Sequence, residues 1–202
     1  MSINLRRRVM VAGNAPSYTP GTVPLDIVPA GLDDAHYYSG TFRNDQNFVW
    51  MGKHTTPSTG PWTAWRFQLP SGLYAPAITD ARLKITAANT GGWDVNLRVK
   101  QANQSSAWDS STNRPDTIYS AVGSTGQVRW TQSSVTIGSQ YTSGNLASRV
   151  ASAITNGGLS AGDYIAVLAG PYDNSAILVN QTVGSRHTHV VWVKPQLVIT
   201  MT

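Results

Sequence analysis

The chain has no cysteine and no glutamate among its 202 residues. Without cysteine it has neither disulfides nor thiolate metal ligands, so its stability must come from packing. Without glutamate, any carboxylate chemistry has to use aspartate. Charged residues make up 12% of the chain, about half of the roughly 25% found in ordinary globular proteins, and Ser, Thr, Asn and Gly take their place. This composition favours strands and turns over helices.

Long apolar runs and basic stripes are missing as well. No segment approaches the ~20 apolar residues that a membrane span needs, so we expect no membrane span. Arg6, Arg7 and Arg8 precede the apolar stretch 9–12, but this stretch is too short for an export signal. The net charge of +5 is spread thinly outside these three arginines, whereas nucleic-acid binders concentrate Lys and Arg on one face. We therefore expect no nucleic-acid partner.

Residues 1–30 predict an extended N-terminal arm, and residues 31–202 predict a single domain. Four prolines in the arm oppose both helix and regular sheet; they are Pro16, Pro20, Pro24 and Pro29. The arm is also more apolar than a free linker needs to be. Two uses stay open, because the arm either packs on its own domain or docks on a partner subunit. The residues predicted to serve assembly are Arg6, Arg7, Arg8, Val9, Val11, Leu25 and Ile27.

Short strands separated by turns fill the rest of the chain. Ala81–Thr86 and Val95–Val99 alternate apolar and polar residues, as is typical of sheets with one exposed face. The Asn-Thr-Gly-Gly sequence at 89–92 predicts a hairpin between them. Asn145 is predicted to cap a helix over Leu146–Ile154, which ends at the glycines 157 and 158. Further strands are predicted at 48–51, 63–69, 127–132, 164–169, 176–180, 189–193 and 196–201. About ten strands predict an all-β fold, an antiparallel β-sandwich of jelly-roll type with one short helix and the extended arm.

A series of short motifs resembles a known family. In order they are Asp33-Asp34-Ala35, Trp65–Pro70, Ile78–Leu83, Val95–Val99, Trp108-Asp109 with Asn113-Arg114-Pro115, Val128-Arg129-Trp130 and Pro195–Ile199. Together they resemble the DNRLRE-type jelly-roll modules, which are similar in fold to carbohydrate-binding modules and occur in secreted bacterial proteins and in bacteriophage virion proteins. The resemblance implies a jelly-roll fold and a role without catalysis, and it carries over no catalytic residue.

Of the two contexts, secreted bacterial protein and bacteriophage virion protein, the sequence favours the second. The chain begins at Met1 and shows no export signal, which suits a phage virion component made in the host cytoplasm better than a secreted module. We expect a minor tail or fibre protein or a capsid decoration protein. It would form a homo-oligomer, dock on other virion subunits through its arm and display the jelly-roll outward. The alternative is a carbohydrate-binding module that adheres to a host-surface glycan.

Catalytic and metal-binding patterns are weak in this sequence. His187 and His189 lie two apart on a predicted strand and so share a face, but no third ligand is evident. Asp33 and Asp34 precede the first strand of the module, where a structural calcium is a lesser alternative to a turn role, because calcium needs six to eight oxygens. No nucleophile motif or carboxylate pair indicates an enzyme. We expect no cofactor and no catalytic residue.

Seven tryptophans are the strongest remaining signal. Trp65, Trp130 and Trp192 lie on predicted strands, where aromatic residues are favoured for packing, so we expect them in the core. The other candidates lie beside proline, glycine or serine-rich loops, where an indole can contact a glycan or a partner. These candidates are Trp62, Trp93 and Trp108.

Overall fold

The computed structural model describes residues 19–26, 33–44, 48–52, 60–172, 181–184 and 194–202. Antiparallel strands dominate, so the predicted all-β sandwich is confirmed. The strands are β1 (Gly21–Asp26), β2 (Asp34–Tyr38), β3 (Thr41–Arg43), β4 (Phe48–Met51), β5 (Trp62–Gln68), β6 (Ile78–Thr86), β7 (Gly91–Val99), β8 (Val128–Val135), β9 (Gln140–Thr142), β10 (Tyr164–Pro171), β11 (Gln181–Gly184) and β12 (Gln196–Met201). The helices are α1 (Pro115–Val122) and α2 (Ala147–Thr155), and a 3-10 turn covers Ala75–Ala77.

Two sheets enclose the main core. A four-stranded sheet has the order β1-β12-β6-β9, and a six-stranded sheet has the order β3-β2-β5-β10-β7-β8. A smaller pair, β4 and β11, adjoins them. Apolar side chains from both large sheets belong to one buried cluster, which includes Leu83, Leu197, Phe67, Leu97 and Ile165. Because each strand alternates its side chains between two faces, the apolar positions of both sheets meet in this layer.

The predicted hairpin between 81–86 and 95–99 is wrong. These segments lie in β6 and β7, which belong to different sheets: β6 pairs with β12 and β9, and β7 pairs with β10 and β8. Residues 87–90 therefore connect the two layers. The alternation was compatible with both arrangements, because a strand presents its apolar face to the same core from either sheet. Gly91 and Gly92 lie at a bulge at the start of β7 rather than in a hairpin turn.

Helix α2 lies where the sequence predicts a helix. Its buried residues Val150 and Ala153 pack with Leu146 into the main core. Asn145 Oδ1 accepts the backbone N–H of Ala147 at 2.8 Å and that of Ala81 at 3.1 Å. Asn145 thus satisfies a free N–H at the start of the helix and also ties the helix to β6.

A second helix, α1, lies in a stretch for which no helix was predicted, since the predicted fold had one short helix. Pro115 occupies its first turn, where a missing N–H costs nothing. The helix belongs to a cover, residues 101–122, over the outer face of the six-stranded sheet. Trp108 and Tyr119 of this cover form a second buried cluster with strand residues; those strand residues are Ala35, Ala64, Ala166 and Leu168. The small alanines leave room for the aromatic rings above them.

Candidate functional site

A cleft of about 410 Å³ opens beside the hairpin formed by β2 and β3. Its size is within the ~300–1,000 Å³ typical of ligand sites. Strand β4 contributes one wall of the cleft. The lining side chains combine aromatic rings, hydroxyls, an imidazole and a guanidinium. They are His36, Tyr38, Ser39, Thr41, Arg43 and Trp50.

The hairpin brings most of these side chains to one face. His36 and Tyr38 are two residues apart on β2, so their side chains leave the strand on the same side. Arg43 stands opposite His36 on β3, and Thr41 stands opposite Tyr38. Directly opposed residues of an antiparallel pair have adjacent side chains. Two cross-strand pairs therefore supply four of the six lining residues.

The turn of this hairpin has an uncommon backbone. Ser39 and Gly40, the two residues between β2 and β3, have φ values of 47° and 80°. Two consecutive positive φ angles are typical of a type I′ turn, which fits the twist of a two-residue hairpin. Ser39 is the one non-glycine residue with positive φ in the described part of the chain. Such a conformation is unfavourable for serine and often occurs at functional sites.

The aromatic wall of the cleft is held from behind. The Trp50 ring lies 6.4 Å from the Tyr38 ring, centroid to centroid, with 19° between their planes. The edge-to-face contact of Phe48 with Trp50, at 6.3 Å and 75°, supports the indole. The Thr63 hydroxyl donates to the Trp50 carbonyl and so joins β4 to β5. Burial raises the pKa of the Tyr38 phenol above its ordinary value of 10.0, so the phenol is neutral at physiological pH, as an ordinary tyrosine is.

A second aromatic pair lies on the other face of the same hairpin. Tyr37 and Trp62 are 6.3 Å apart between ring centroids, with their planes tilted by 37°. The guanidinium of Arg114 lies 4.1 Å above the Tyr37 ring, and it also forms an ion pair with Asp116. Trp62 is partly exposed. Of the three tryptophans expected to contact a glycan or partner, it is the one whose ring reaches the surface.

Trp93 and Trp108 are buried, contrary to their expected positions in exposed loops. Trp93 is fully buried in β7, where it makes edge-to-face contacts with Trp130 at 5.1 Å and Tyr141 at 5.4 Å. The bulge after Gly91 turns it into the core. Trp108 is 1% exposed, and its indole N–H donates to the Asp33 carbonyl at 3.2 Å. Neither indole is accessible for stacking on a ligand. The core positions expected for Trp65 and Trp130 are confirmed, and Trp192 lies outside the described residues.

The aspartates considered for calcium have other surroundings. Asp33 is buried and forms an ion pair with the guanidinium of Arg66. Asp34 is buried at the start of β2, where it faces Trp65 in the strand register. Among the described residues no cluster of three His, Cys, Asp or Glu side chains is placed to hold a metal. His187 and His189 lie outside the described residues.

The arm divides into a described strand and flanking residues that are not described. β1 pairs with β12 from Gly21 opposite Met201 to Asp26 opposite Gln196. Leu25 is 5% exposed and belongs to the main core, so its side chain serves its own domain. The other residues proposed for assembly lie outside the described residues; they are Arg6, Arg7, Arg8, Val9, Val11 and Ile27.

The sequence analysis missed the cleft. Its signal was present in residues 36–43, where aromatic and polar residues flank a Ser-Gly pair that indicates a turn. Comparisons with protein-family models, with curated proteins and with solved structures found no match. In the described part of the chain, no helix is long and apolar enough to cross a membrane.

Proposed function

We propose that this chain is a non-enzymatic structural protein of a bacteriophage virion. In this proposal the N-terminal arm docks on neighbouring virion subunits, and the β-sandwich, of jelly-roll type, faces outward. The particle would contain several copies of the chain. The protein would serve on the tail or as a capsid decoration.

The observation that carries this proposal is the position of β1. This strand lies at the edge of the four-stranded sheet and pairs on one side with β12. Val23 and Leu25 pack on the main core, so β1 fastens the arm to its own domain. The segment before it, with three arginines followed by Val9 and Val11, joins the domain at the margin of a sheet.

Deletion of residues 1–18 tests the arm. This change keeps β1, so we expect the thermal unfolding midpoint to stay within about 2 °C of the full chain while incorporation into particles is lost. As a matched control, deletion of residues 1–26 also removes Leu25 and should lower the midpoint. Particle incorporation is measured by immunoblotting of purified virions. Normal incorporation of the chain without residues 1–18 would count against docking through the arm.

Adhesion to a host-surface glycan is a second candidate function that a specific observation favours. Partly exposed aromatic rings lie on both faces of the β2–β3 hairpin, with Tyr38 and Trp50 on one side and Tyr37 and Trp62 on the other. Such rings stack on the apolar faces of sugars. Saturable binding of the full chain to a glycan array would support adhesion. If the full chain binds no polysaccharide on an array of host-surface glycans, this result opposes adhesion and leaves the structural role.

A further inference from the structure

We infer that the cleft beside the β2–β3 hairpin is a saccharide-binding site, in which a pyranose ring stacks on the Tyr38–Trp50 wall and Arg43 binds its oxygen atoms. This inference rests on the second candidate function, adhesion to a glycan. It assigns that function to residues that differ from the tryptophans singled out in the sequence. It also predicts that the opposite face of the hairpin is dispensable for binding.

The aromatic wall of the cleft, Tyr38 and Trp50, suits a sugar ring in shape. The planes of Tyr38 and Trp50 are within 19° of parallel, and their centroids are 6.4 Å apart. Both rings are partly exposed. Two nearly parallel rings this close together offer aromatic faces on which the C–H face of a pyranose can stack. Because Phe48 and the bond from Thr63 fix the indole and its backbone, the wall is in place before a ligand arrives, which lowers the entropy cost of binding.

Polar side chains border the aromatic wall of the cleft. Ser39, Thr41 and Arg43 all line the cleft, and all three are exposed. A sugar carries hydroxyls around an apolar face, so it needs hydroxyl and guanidinium partners at the border of an aromatic surface. Arg43 offers a planar fork of donors that matches two neighbouring oxygen atoms. A purely apolar ligand would leave these groups desolvated and without partners, which is unfavourable.

The backbone of the turn between β2 and β3 is strained at Ser39. The left-handed conformation of Ser39, with φ of 47°, occurs where a glycine or asparagine would be less strained. Ser39 lines the cleft. A contact between its hydroxyl and the ligand would account for a serine in this strained position.

Neutral and acidic polysaccharides share the chemistry that this site recognises, namely a pyranose face and a rim of oxygens. The lining holds one guanidinium and, among the described residues, no carboxylate. A uronic acid would therefore gain an ion pair with Arg43. Salt distinguishes neutral from acidic polysaccharides, since 0.5 M NaCl screens the ion pair with Arg43 but leaves stacking intact.

The test uses the full chain and four probes in affinity electrophoresis: dextran, galactan, chitin oligosaccharides and polygalacturonate. We expect at least one probe to retard the wild-type protein. Trp50→Ala should weaken that binding at least tenfold, and Arg43→Gln should weaken it severalfold. Thr41→Tyr places a ring in the cleft at an exposed position of a short edge strand, where tyrosine is favoured. It should therefore block binding while the domain stays folded, as judged by its thermal midpoint.

Trp62→Ala is the matched control, because it removes an equally large, partly exposed indole from the opposite face. It should leave binding within about twofold of wild type. Binding that survives both Trp50→Ala and Thr41→Tyr overturns the assignment of the cleft and leaves adhesion intact, especially if Trp62→Ala abolishes it. A wild-type chain that binds none of the four probes overturns this inference and also counts against adhesion.

Discussion

The two faces of the six-stranded sheet are built on different principles. The inner face meets the four-stranded sheet through apolar side chains, among them Trp65, Phe67, Val95, Leu97 and Val167. The outer face is covered by residues 101–122, and that cover is held by ionic and polar contacts around a small aromatic cluster. The inner face is therefore stabilised by buried apolar area and close packing, and the outer face by ion pairs and hydrogen bonds.

Arg66 shows how the outer face works. It rises from β5 and pairs with the Asp33 carboxylate, while its Nη1 donates to the Ser105 carbonyl at 2.9 Å and its guanidinium lies 4.4 Å from the Tyr164 ring centroid. The Asp33 carbonyl in turn accepts the Trp108 indole N–H. Arg66 is thus one buried cation that fastens the cover, and Arg98 of β7 adds a second contact, since its Nη1 donates to the Tyr119 carbonyl at 2.8 Å. The inner face should therefore depend on packing volume, and the outer face on charged and polar contacts, among them the buried Asp33–Arg66 pair.

The largest expected effect comes from Asp33→Ala. This change leaves the Arg66 guanidinium buried without its counter-ion, and removal of one partner of a buried pair costs about 3–5 kcal/mol. We expect the free energy of unfolding, measured by urea denaturation, to fall by that amount. We also expect proteolysis to begin within 101–122.

Asp80→Ala is the control, because the Asp80–Arg82 pair is partly exposed and such pairs contribute less than about 1 kcal/mol. Equal losses for Asp33→Ala and Asp80→Ala would show that burial adds nothing to the Asp33–Arg66 pair, and that this pair does not hold the cover.

The inner face was predictable from the sequence because its information is local. Alternation at 81–86 and 95–99 identified buried positions, and the closing strand at 196–201 matches β12. The pairing was not local: β6 and β7 lie in different sheets, and a period of two contains no information about which neighbour a strand selects. For the same reason the hairpin prediction failed while its strands were correct.

The outer face and the cleft were not predictable because they join distant residues. Asp33, Arg66 and Ser105 are far apart in the chain, and none of them lies in a periodic pattern that points to the others. Trp108 looked like an exposed loop residue because its neighbours are serines and alanines, yet the alanines of three strands make space for its ring. The cleft likewise requires Trp50 of β4 to lie beside β2, a contact between strands of different sheets.

A smaller effect is expected at the bulge of β7 from Gly92→Ala. A Cβ on Gly92 would lie 2.1 Å from the Gln132 carbonyl oxygen of the neighbouring strand. Backbone cannot move aside as a side chain can, so we expect a loss of about 1–3 kcal/mol in the free energy of unfolding. Gly144→Ala is the matched control, because its Cβ would meet only the Val128 methyl group, at 2.8 Å, which can rotate. A control loss as large as that of Gly92→Ala would show that the bulge does not require close backbone approach.

The smallest effect, and the most specific for the outer face, is expected from Asp109→Asn. Asp109 Oδ1 accepts the backbone N–H groups of Ser111 at 2.7 Å and Asn113 at 3.0 Å, and these bonds, that from Ser111 foremost, lower the pKa of the Asp109 carboxyl. A carboxyl with a lowered pKa in the folded state stabilises the fold above its ordinary pKa, near 3.8, and this contribution disappears as the pH falls through the lower folded value. We therefore expect wild type to exceed Asp109→Asn in free energy of unfolding by less than about 1 kcal/mol at pH 7, with the difference narrowing as the pH falls below 3.8. Thermal midpoints measured from pH 7 to pH 2 test this, with the exposed neighbour Ser110→Ala as the control. A difference that stays constant over that range would mean that the carboxylate charge does not hold this loop, and that the charge on which the outer face depends is that of buried carboxylates such as Asp33 and Asp94.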